Sequence, residues 1–189
     1  MATHRAESVR KLQRGLYRAA KSNGARKFYS LYDKVCRPDV LWQAWEEVKA
    51  NRGAPGVDGL SIEAIVASGE MAFVAELGRQ LKERTYRPIP VRRVLIPKPK
   101  GGQRALGIPS LADRVVQTAA RVVLEPIFEA DFRDCSYGYR PRRGAREAEW
   151  GAHRSGRSLP SSRAARGYPG KSCRPQGRSA WRLCRLGRA

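Results

Sequence analysis

Two basic side chains flank a glycine turn in the middle of the chain. Lys98 and Arg104 lie in the stretch IPKPKGGQRALGIP, with Gly101 and Gly102 between them. If the flanking segments pair as a hairpin, both cations can reach one face near its tip, where the glycines leave the backbone open. Such a pair can bind phosphate oxygens and stabilise the charge that develops in nucleotidyl transfer. The pattern predicts a binding site for a nucleotide triphosphate, with a merely solvent-exposed hairpin as the alternative.

Nucleotidyl transfer also requires two divalent cations, held about 4 Å apart by neighbouring carboxylates. Residues 1–149 contain no adjacent Asp-Asp pair. Asp131 and Asp134 are one helical turn apart and are the only arguable metal ligands, but a capping or surface role explains them better. We therefore expect no metal site and no catalytic residue in this chain.

The hairpin is predicted from local sequence, as is the helix that follows it. Val91–Ile96 has the β-branched content of a strand, and residues 104–108 would return as its partner. Ser110 and Asp113 form an S-x-x-D capping pattern that opens a helix. Pro126 is expected to close that helix.

Helical periodicity dominates the residues before the hairpin. Residues 5–21 predict a basic amphipathic helix that docks weakly, or an ordinary solvated surface helix. A second helix is expected to start with Asp39 as its N-cap and to end with Gly53 in the C′ position. A third should run over residues 70–84. Helices supporting a small sheet define an α+β fold.

The segment Gly53–Gly59, GAPGVDG, contains three glycines and a proline in seven residues. This composition predicts a defined loop whose backbone approaches another group closely. A plain connection between helices is the alternative.

The charge balance indicates a polyanionic partner. The chain has 38 basic and 17 acidic residues, for a net charge of +21. Nucleic acid is the partner that such a balance favours. No apolar run approaches the roughly 18 residues of a membrane span, and the N-terminus has no apolar signal segment. We therefore expect a cytoplasmic protein with no membrane partner.

The composition changes abruptly near Trp150. Residues 150–189 contain nine arginines and one lysine but no Asp, Glu, Val, Ile, Phe or Met. Such a segment buries too little apolar surface to offset its ordering entropy, which predicts a disordered basic tail. Its composition is typical of a GC-rich gene translated out of frame, so we infer a frameshift near codon 150. A functional RNA-binding tail is the alternative.

Four blocks in order resemble the N-terminal part of group II intron reverse transcriptase/maturases. They are KFYSLYDKV, VKANRGAPGVDG, YRPIPVRRVLIPKPKGGQRALGIPSLADRVVQ and LEPIFEADFRDCSYGYRPRRGA, and they cover about residues 10–146. The resemblance implies the fingers subdomain of a right-hand polymerase. Residues 1–25 would form an N-terminal extension helix, residues 26–149 the fingers and the start of the palm, and residues 150–189 the tail.

The resemblance also implies roles for individual residues. Lys98 and Arg104 match the family's triphosphate contacts, although Ala105 stands where a proline often follows the arginine. The residues expected to contact RNA or template are Arg52, Gly53, Pro55, Gly56, Asp58, Arg92, Arg93 and Arg140. In the intact family the partners are intron RNA, template, DNA primer and deoxynucleoside triphosphates, and the cofactor is Mg²⁺.

The palm motifs of that family are missing. After Glu149 the chain contains neither the strand with the first metal-binding aspartate nor a Tyr-Ala-Asp-Asp motif. We therefore expect a truncated reverse transcriptase that binds no Mg²⁺ and is inactive alone. Two alternatives are a non-catalytic module that recognises intron RNA, and a product that never folds stably.

Overall fold

A computed structural model describes most of the chain before the predicted tail. The described residues are 2–99, 101–133, 136–138, 140, 141 and 143. The tail at 150–189 and the candidate ligand Asp134 lie outside them. The chain divides into two compact units, Met1–Asp131 and Phe132–Ala189, and every helix and strand named below belongs to the first.

The described residues of the first unit contain six helices and two strands, which confirms the α+β class. They are α1 Ala2–Ser22, α2 Tyr32–Val35, α3 Pro38–Ala50, α4 Ile62–Ser68, α5 Glu70–Lys82, β1 Arg92–Pro97, β2 Gln103–Ile108 and α6 Leu111–Asp131. No described helix is long and apolar enough to cross a membrane.

The core lies among α1, α3, α5 and α6, and Trp45 of α3 is its largest fully buried side chain. Trp45 is fully buried, and its ring centroid is 5.4 Å from that of Phe73 on α5. Val9 of α1 is also fully buried, and Leu16 is 6% exposed. The expectation that α1 docks weakly is therefore wrong, because its apolar face completes this core.

Helix α6 does not stop at Pro126, contrary to the sequence expectation, but continues to Asp131. Proline lacks the N–H that would bond the carbonyl four residues earlier, which is that of Val122. Gln13 of α1 compensates, since its Nε2 donates to the Val122 carbonyl at 3.2 Å. Lys21 Nζ likewise donates to the Ala130 carbonyl at 3.2 Å, so α1 supplies donors along the last turns of α6.

The boundaries of α3 also differ from the prediction. Arg37 is its N-cap, because Pro38 occupies the first turn, where a missing N–H costs nothing. Asp39 lies inside that turn and forms an ion pair with Arg37 at 2.6 Å. At the other end, Arg52 adopts the left-handed conformation with φ 46°, so Gly53 is not the terminating residue.

Helix α4 was not predicted, although its N-terminal signal is present in the sequence. Ser61 is the N-cap, and its Oγ accepts from the Ala64 N–H at 3.2 Å. The helix has only seven residues and buries only Ile65, so its periodicity is too short to detect. The predicted helix 70–84 is confirmed as α5, which ends two residues earlier, at Lys82.

Candidate nucleic-acid interface

The predicted hairpin is confirmed as an antiparallel pair of β1 and β2. Ile96 pairs with Arg104 and Pro97 with Gln103, and the Lys98 N–H donates to the Gly102 carbonyl at 2.9 Å. Side chains alternate between the two faces of a strand. Arg104 therefore shares a face with Ile96 and, two residues further along, with Lys98. Both basic side chains are exposed.

The hairpin turn depends on its two glycines. The Gly101 N–H donates to the Lys98 carbonyl at 3.0 Å, which closes the turn. Gly101 and Gly102 have φ values of 86° and 80°, a region that residues with a Cβ rarely adopt. The register of the two basic residues therefore rests on a turn that glycine makes possible.

The two arginines at the start of β1 lie on opposite faces of the hairpin. Arg92 pairs with Ile108 and lies on the face of Arg104, whereas Arg93 pairs with Gly107 on the opposite face. Both are exposed. Their predicted contact with template stays a prediction, and a single ligand on one face of the hairpin would meet only Arg92.

The backbone of the loop at residues 53–59 approaches α6 of the same chain. A Cβ on Gly56 would lie 2.7 Å from the Ser110 Cα, and one on Gly53 would collide with the Arg114 Nη1. The Arg114 guanidinium also donates to the Ala54 carbonyl. The contact with the Ser110 backbone accounts for Gly56 without a ligand, whereas the Arg114 side chain beside Gly53 can move. The predicted contacts of Arg52, Gly53, Pro55, Gly56 and Asp58 with RNA stay predictions, and Arg52 and Asp58 are exposed.

The capping pattern predicted at the start of α6 is confirmed. The Ser110 Oγ accepts from the Asp113 N–H at 3.1 Å and donates to the Asp113 Oδ2 at 2.8 Å. The Tyr86 hydroxyl donates to the other carboxylate oxygen. Burial and this contact with a carboxylate raise the pKa of Tyr86 well above its usual value, so the phenol stays protonated as a donor.

Arg140 belongs to the second unit and is largely buried, with 8% of its surface exposed. Its Nη1 donates to the carbonyls of Arg133 and Ser136, both at 2.7 Å. Its guanidinium also lies over the Phe132 ring, 5.2 Å from the centroid. The side chain therefore has a structural role in this unit, and its predicted contact with RNA stays a prediction.

A basic groove that sequence reasoning missed lies between α1 and residues 26–37. Its volume is about 630 Å³, and the basic side chains lining it are Lys11, Arg26, Lys27, Lys34 and Arg37. Tyr29 also lines it and is 87% exposed. The alternation of basic and aromatic residues in ARKFY was the available signal.

The described carboxylates do not fit a two-cation site. No group of three or more His, Cys, Asp or Glu side chains comes together among the described residues. Asp131 is exposed at the last position of α6, and its proposed neighbour Asp134 lies outside the described part. No catalytic step through a metal is therefore assigned to these residues.

Comparison with known proteins finds that the chain is similar to several proteins encoded within introns. No family model matches it. It is 38% identical over 122 residues to the group II intron-encoded protein LtrA of Lactococcus lactis, covering 64% of this chain and 20% of LtrA. It is 33% identical over 123 residues to an uncharacterised 91 kDa protein in the cob intron of Schizosaccharomyces pombe, covering 61% of this chain and 14% of that protein.

The particular relatives are group II intron-encoded and other intron-encoded proteins, of which this chain is a homologue. The resemblance seen in the sequence blocks is thereby confirmed. The protein YkfC of Escherichia coli is also similar, at 37% identity over 143 residues, or 74% of this chain and 37% of YkfC. The chain thus spans about a third or less of the length of these relatives.

Proposed function

We propose that this chain is the fingers part of a group II intron reverse transcriptase, and that it binds the triphosphate of a deoxynucleotide through Lys98 and Arg104. The register of the hairpin carries the proposal, because Arg104 pairs with Ile96 and Lys98, two positions after Ile96, bonds the Gly102 carbonyl next to the turn. Arg104 offers a forked donor and Lys98 a mobile point charge, which together suit a phosphate chain.

Binding, and not catalysis, is the function proposed for these 189 residues. The chain contains no adjacent Asp-Asp pair at any position. The two hairpin cations would hold the triphosphate and offset its charge, but they supply neither a metal nor a base. Polymerisation, with primer and template, would belong to a polypeptide that also carries a palm.

Nucleotide affinity of hairpin variants tests the proposal. Lys98→Ala and Arg104→Ala should each weaken binding of dATP roughly tenfold, which corresponds to the loss of one charge-assisted contact. Arg93→Ala is the matched control, because it removes the same charge from the opposite face of the same hairpin. Equal weakening in all three variants, or no binding of dATP by the unsubstituted chain, would overturn the proposal.

The second candidate function is binding of intron RNA, and the basic groove favours it. Five basic side chains line the groove beside the exposed ring of Tyr29, and the charge of one of them, Arg37, is offset by its ion pair with Asp39. Cations that follow a phosphate backbone and an aromatic ring on which a base can stack are the usual parts of a single-strand binding surface. The two functions are compatible, since the groove and the hairpin tip share no residues.

Variants in the groove test this second function. Tyr29→Ala should weaken RNA binding by roughly fivefold to tenfold with little change in its salt dependence, because stacking is lost and charge is kept. Lys27→Ala should reduce the salt slope instead. Tyr17→Ala on the exposed side of α1 and Lys82→Ala on α5 are the matched controls, and similar losses in the controls would exclude the groove as the RNA site.

A further inference from the structure

Three segments that are far apart in the sequence meet at the first turn of α6. They are the loop at residues 53–59, the residues entering the hairpin, and the turn Ser110–Arg114 that follows it. The hairpin strands themselves pair with each other, and no helix packs extensively along either strand in the described part of the chain. The orientation of the hairpin relative to α6 therefore depends on the contacts where its strands meet the rest of the unit.

The entering segment is attached through Tyr86 and Asp113. Asp113 is only 5% exposed, and each of its carboxylate oxygens accepts a hydroxyl, one from Tyr86 and one from Ser110. A buried carboxylate is costly unless its acceptors are occupied. The two hydroxyls thus occupy carboxylate oxygens that burial would otherwise leave without a donor. Through this contact Tyr86 connects the segment before β1 to α6, the helix that follows β2.

The loop is attached to the same turn through Arg114. Its Nε donates to the Pro109 carbonyl at 3.0 Å, and its Nη2 donates to the Ala54 carbonyl. The guanidinium lies against Gly53, where a Cβ would collide with it. One planar group therefore joins the loop to the second leg of the hairpin, a geometry that lysine cannot reproduce.

We propose that Tyr86, Asp113 and Arg114 are positioning residues that hold the hairpin and the loop at residues 53–59 in a fixed orientation on the first turn of α6. Through them, the hairpin cations and the loop would keep a constant separation. This inference rests on the proposed function for its consequence in nucleotide binding, but its geometry can be measured without a ligand.

Residual dipolar couplings of the isotope-labelled 189-residue chain test the geometry. In the unsubstituted protein, amides of β1, β2 and α6 should fit one alignment tensor, and the Tyr86 hydroxyl proton should exchange slowly. Tyr86→Phe removes only the hydroxyl. The couplings of the hairpin amides should then no longer fit the alignment tensor of α6, whereas those of α1 and α3 should still fit it. Tyr17→Phe makes the same chemical change at an exposed position of α1 and should alter nothing.

Arg114→Lys tests the other attachment, independently of how well Tyr86→Phe folds. It should shift the amide resonances of Gly53 and Gly56, whereas Arg121→Lys, on the same helix, should leave them unchanged. A hairpin in Tyr86→Phe that still fits the tensor of α6, or a rapidly exchanging Tyr86 hydroxyl in the unsubstituted chain, would overturn the proposal.

Affinity for dATP separates this inference from the proposed function. Tyr86→Phe should raise the Kd roughly fivefold, a typical size for an effect transmitted through neighbouring residues, and Tyr17→Phe should leave it unchanged. If the unsubstituted chain binds no dATP, the proposed function fails. The dipolar couplings still show whether Tyr86 holds the hairpin in a fixed orientation on α6. A wild-type Kd in a variant whose hairpin has lost alignment would overturn the link between orientation and binding.

Discussion

Individual glycines serve different purposes in this chain. Gly101 and Gly102 supply positive φ values in the hairpin turn, whereas Gly56 allows the loop backbone to lie against Ser110. Gly15 does neither, because it lies inside α1 with open space where its Cβ would be. The residue type alone does not distinguish these cases, but the surroundings predict opposite responses to alanine.

Gly56→Ala should destabilise the protein by about 1 to 3 kcal/mol, because the new methyl group would meet backbone atoms of Ser110 that cannot rotate away. Gly15→Ala should instead stabilise it by up to about 1 kcal/mol through helix propensity. Urea unfolding monitored by circular dichroism measures both changes. A neutral Gly56→Ala would show that the loop can move off α6 at little cost.

The Glu70 carboxylate should make stability depend on pH. Lys49 Nζ contacts its Oε1 at 2.5 Å and the buried Trp45 Nε1 donates to its Oε2 at 2.9 Å. The hydrogen bond from Lys49, followed by that from Trp45, lowers the pKa of Glu70. Its contribution is therefore present above the unfolded-state pKa of about 4.3 and lost as the pH falls through the folded-state value.

Glu70→Gln keeps an acceptor for the indole but removes the charge. The loss of unfolding free energy relative to wild type should be largest near neutral pH, should shrink as the pH falls below the unfolded-state value of about 4.3, and should disappear below the lowered folded-state pKa. Glu46→Gln is the matched control, since Glu46 also accepts from an indole, that of the half-buried Trp42. A pH-independent difference for Glu70→Gln would exclude the ion pair as its cause.

At the level of elements, α1 and α6 depend on each other. Helix α6 contains Pro126, and the carbonyl that this proline leaves without its helical partner accepts from Gln13 on α1. Val9 of α1 and Val122 of α6 both belong to the buried core. The continuation of α6 past a proline is thus a property of the pair of helices and not of the α6 sequence.

A double-mutant cycle measures this dependence. Gln13→Ala should cost about 1 kcal/mol, because the Val122 carbonyl loses its donor. In a Pro126→Ala background the helix regains its own N–H, so Gln13→Ala should cost less, with a coupling of about 0.5 to 1 kcal/mol. Chemical unfolding of the four proteins gives the coupling. Equal costs in both backgrounds would show that Gln13 does not compensate for the proline.

For the whole molecule, the distribution of charge matters more than its total. Residues 150–189 carry ten of the 38 basic residues and no acidic residue. Deleting them should make the dependence of log K for RNA on log[salt] shallower, because fewer counterions are released. If the folded part recognises RNA, a preference for structured intron RNA over duplex DNA should remain. Loss of that preference on deletion would assign recognition to the tail.

Activity of the whole chain provides a second test at this scale. The 189 residues, incubated with primer, template, deoxynucleotides and Mg²⁺, should not extend the primer, because no adjacent aspartates are present to hold two cations. Gel analysis of a labelled primer is the measurement. Robust extension would contradict the assignment of binding without catalysis.

Local patterns were sufficient for the elements whose determinants are close in sequence. The hairpin follows from β-branched residues around a glycine turn, and the start of α6 follows from Ser110 and Asp113, only three positions apart. The wrong end of α6 has a non-local cause. The donor that carries α6 past Pro126 comes from Gln13, 109 positions before the carbonyl that it contacts.

The features of the candidate site also differ in whether their determinants are close together in the sequence or far apart. The sequence by itself determined the α+β class, the hairpin with Lys98 and Arg104, and the relation to group II intron-encoded proteins, because turn chemistry and ordered motifs are encoded by neighbouring residues. Only the tertiary structure decided that the Gly53–Gly59 loop approaches α6, that Arg140 is used inside its own unit, and that a basic groove adjoins α1. These features depend on which distant segments pack together, and packing is set by the whole core.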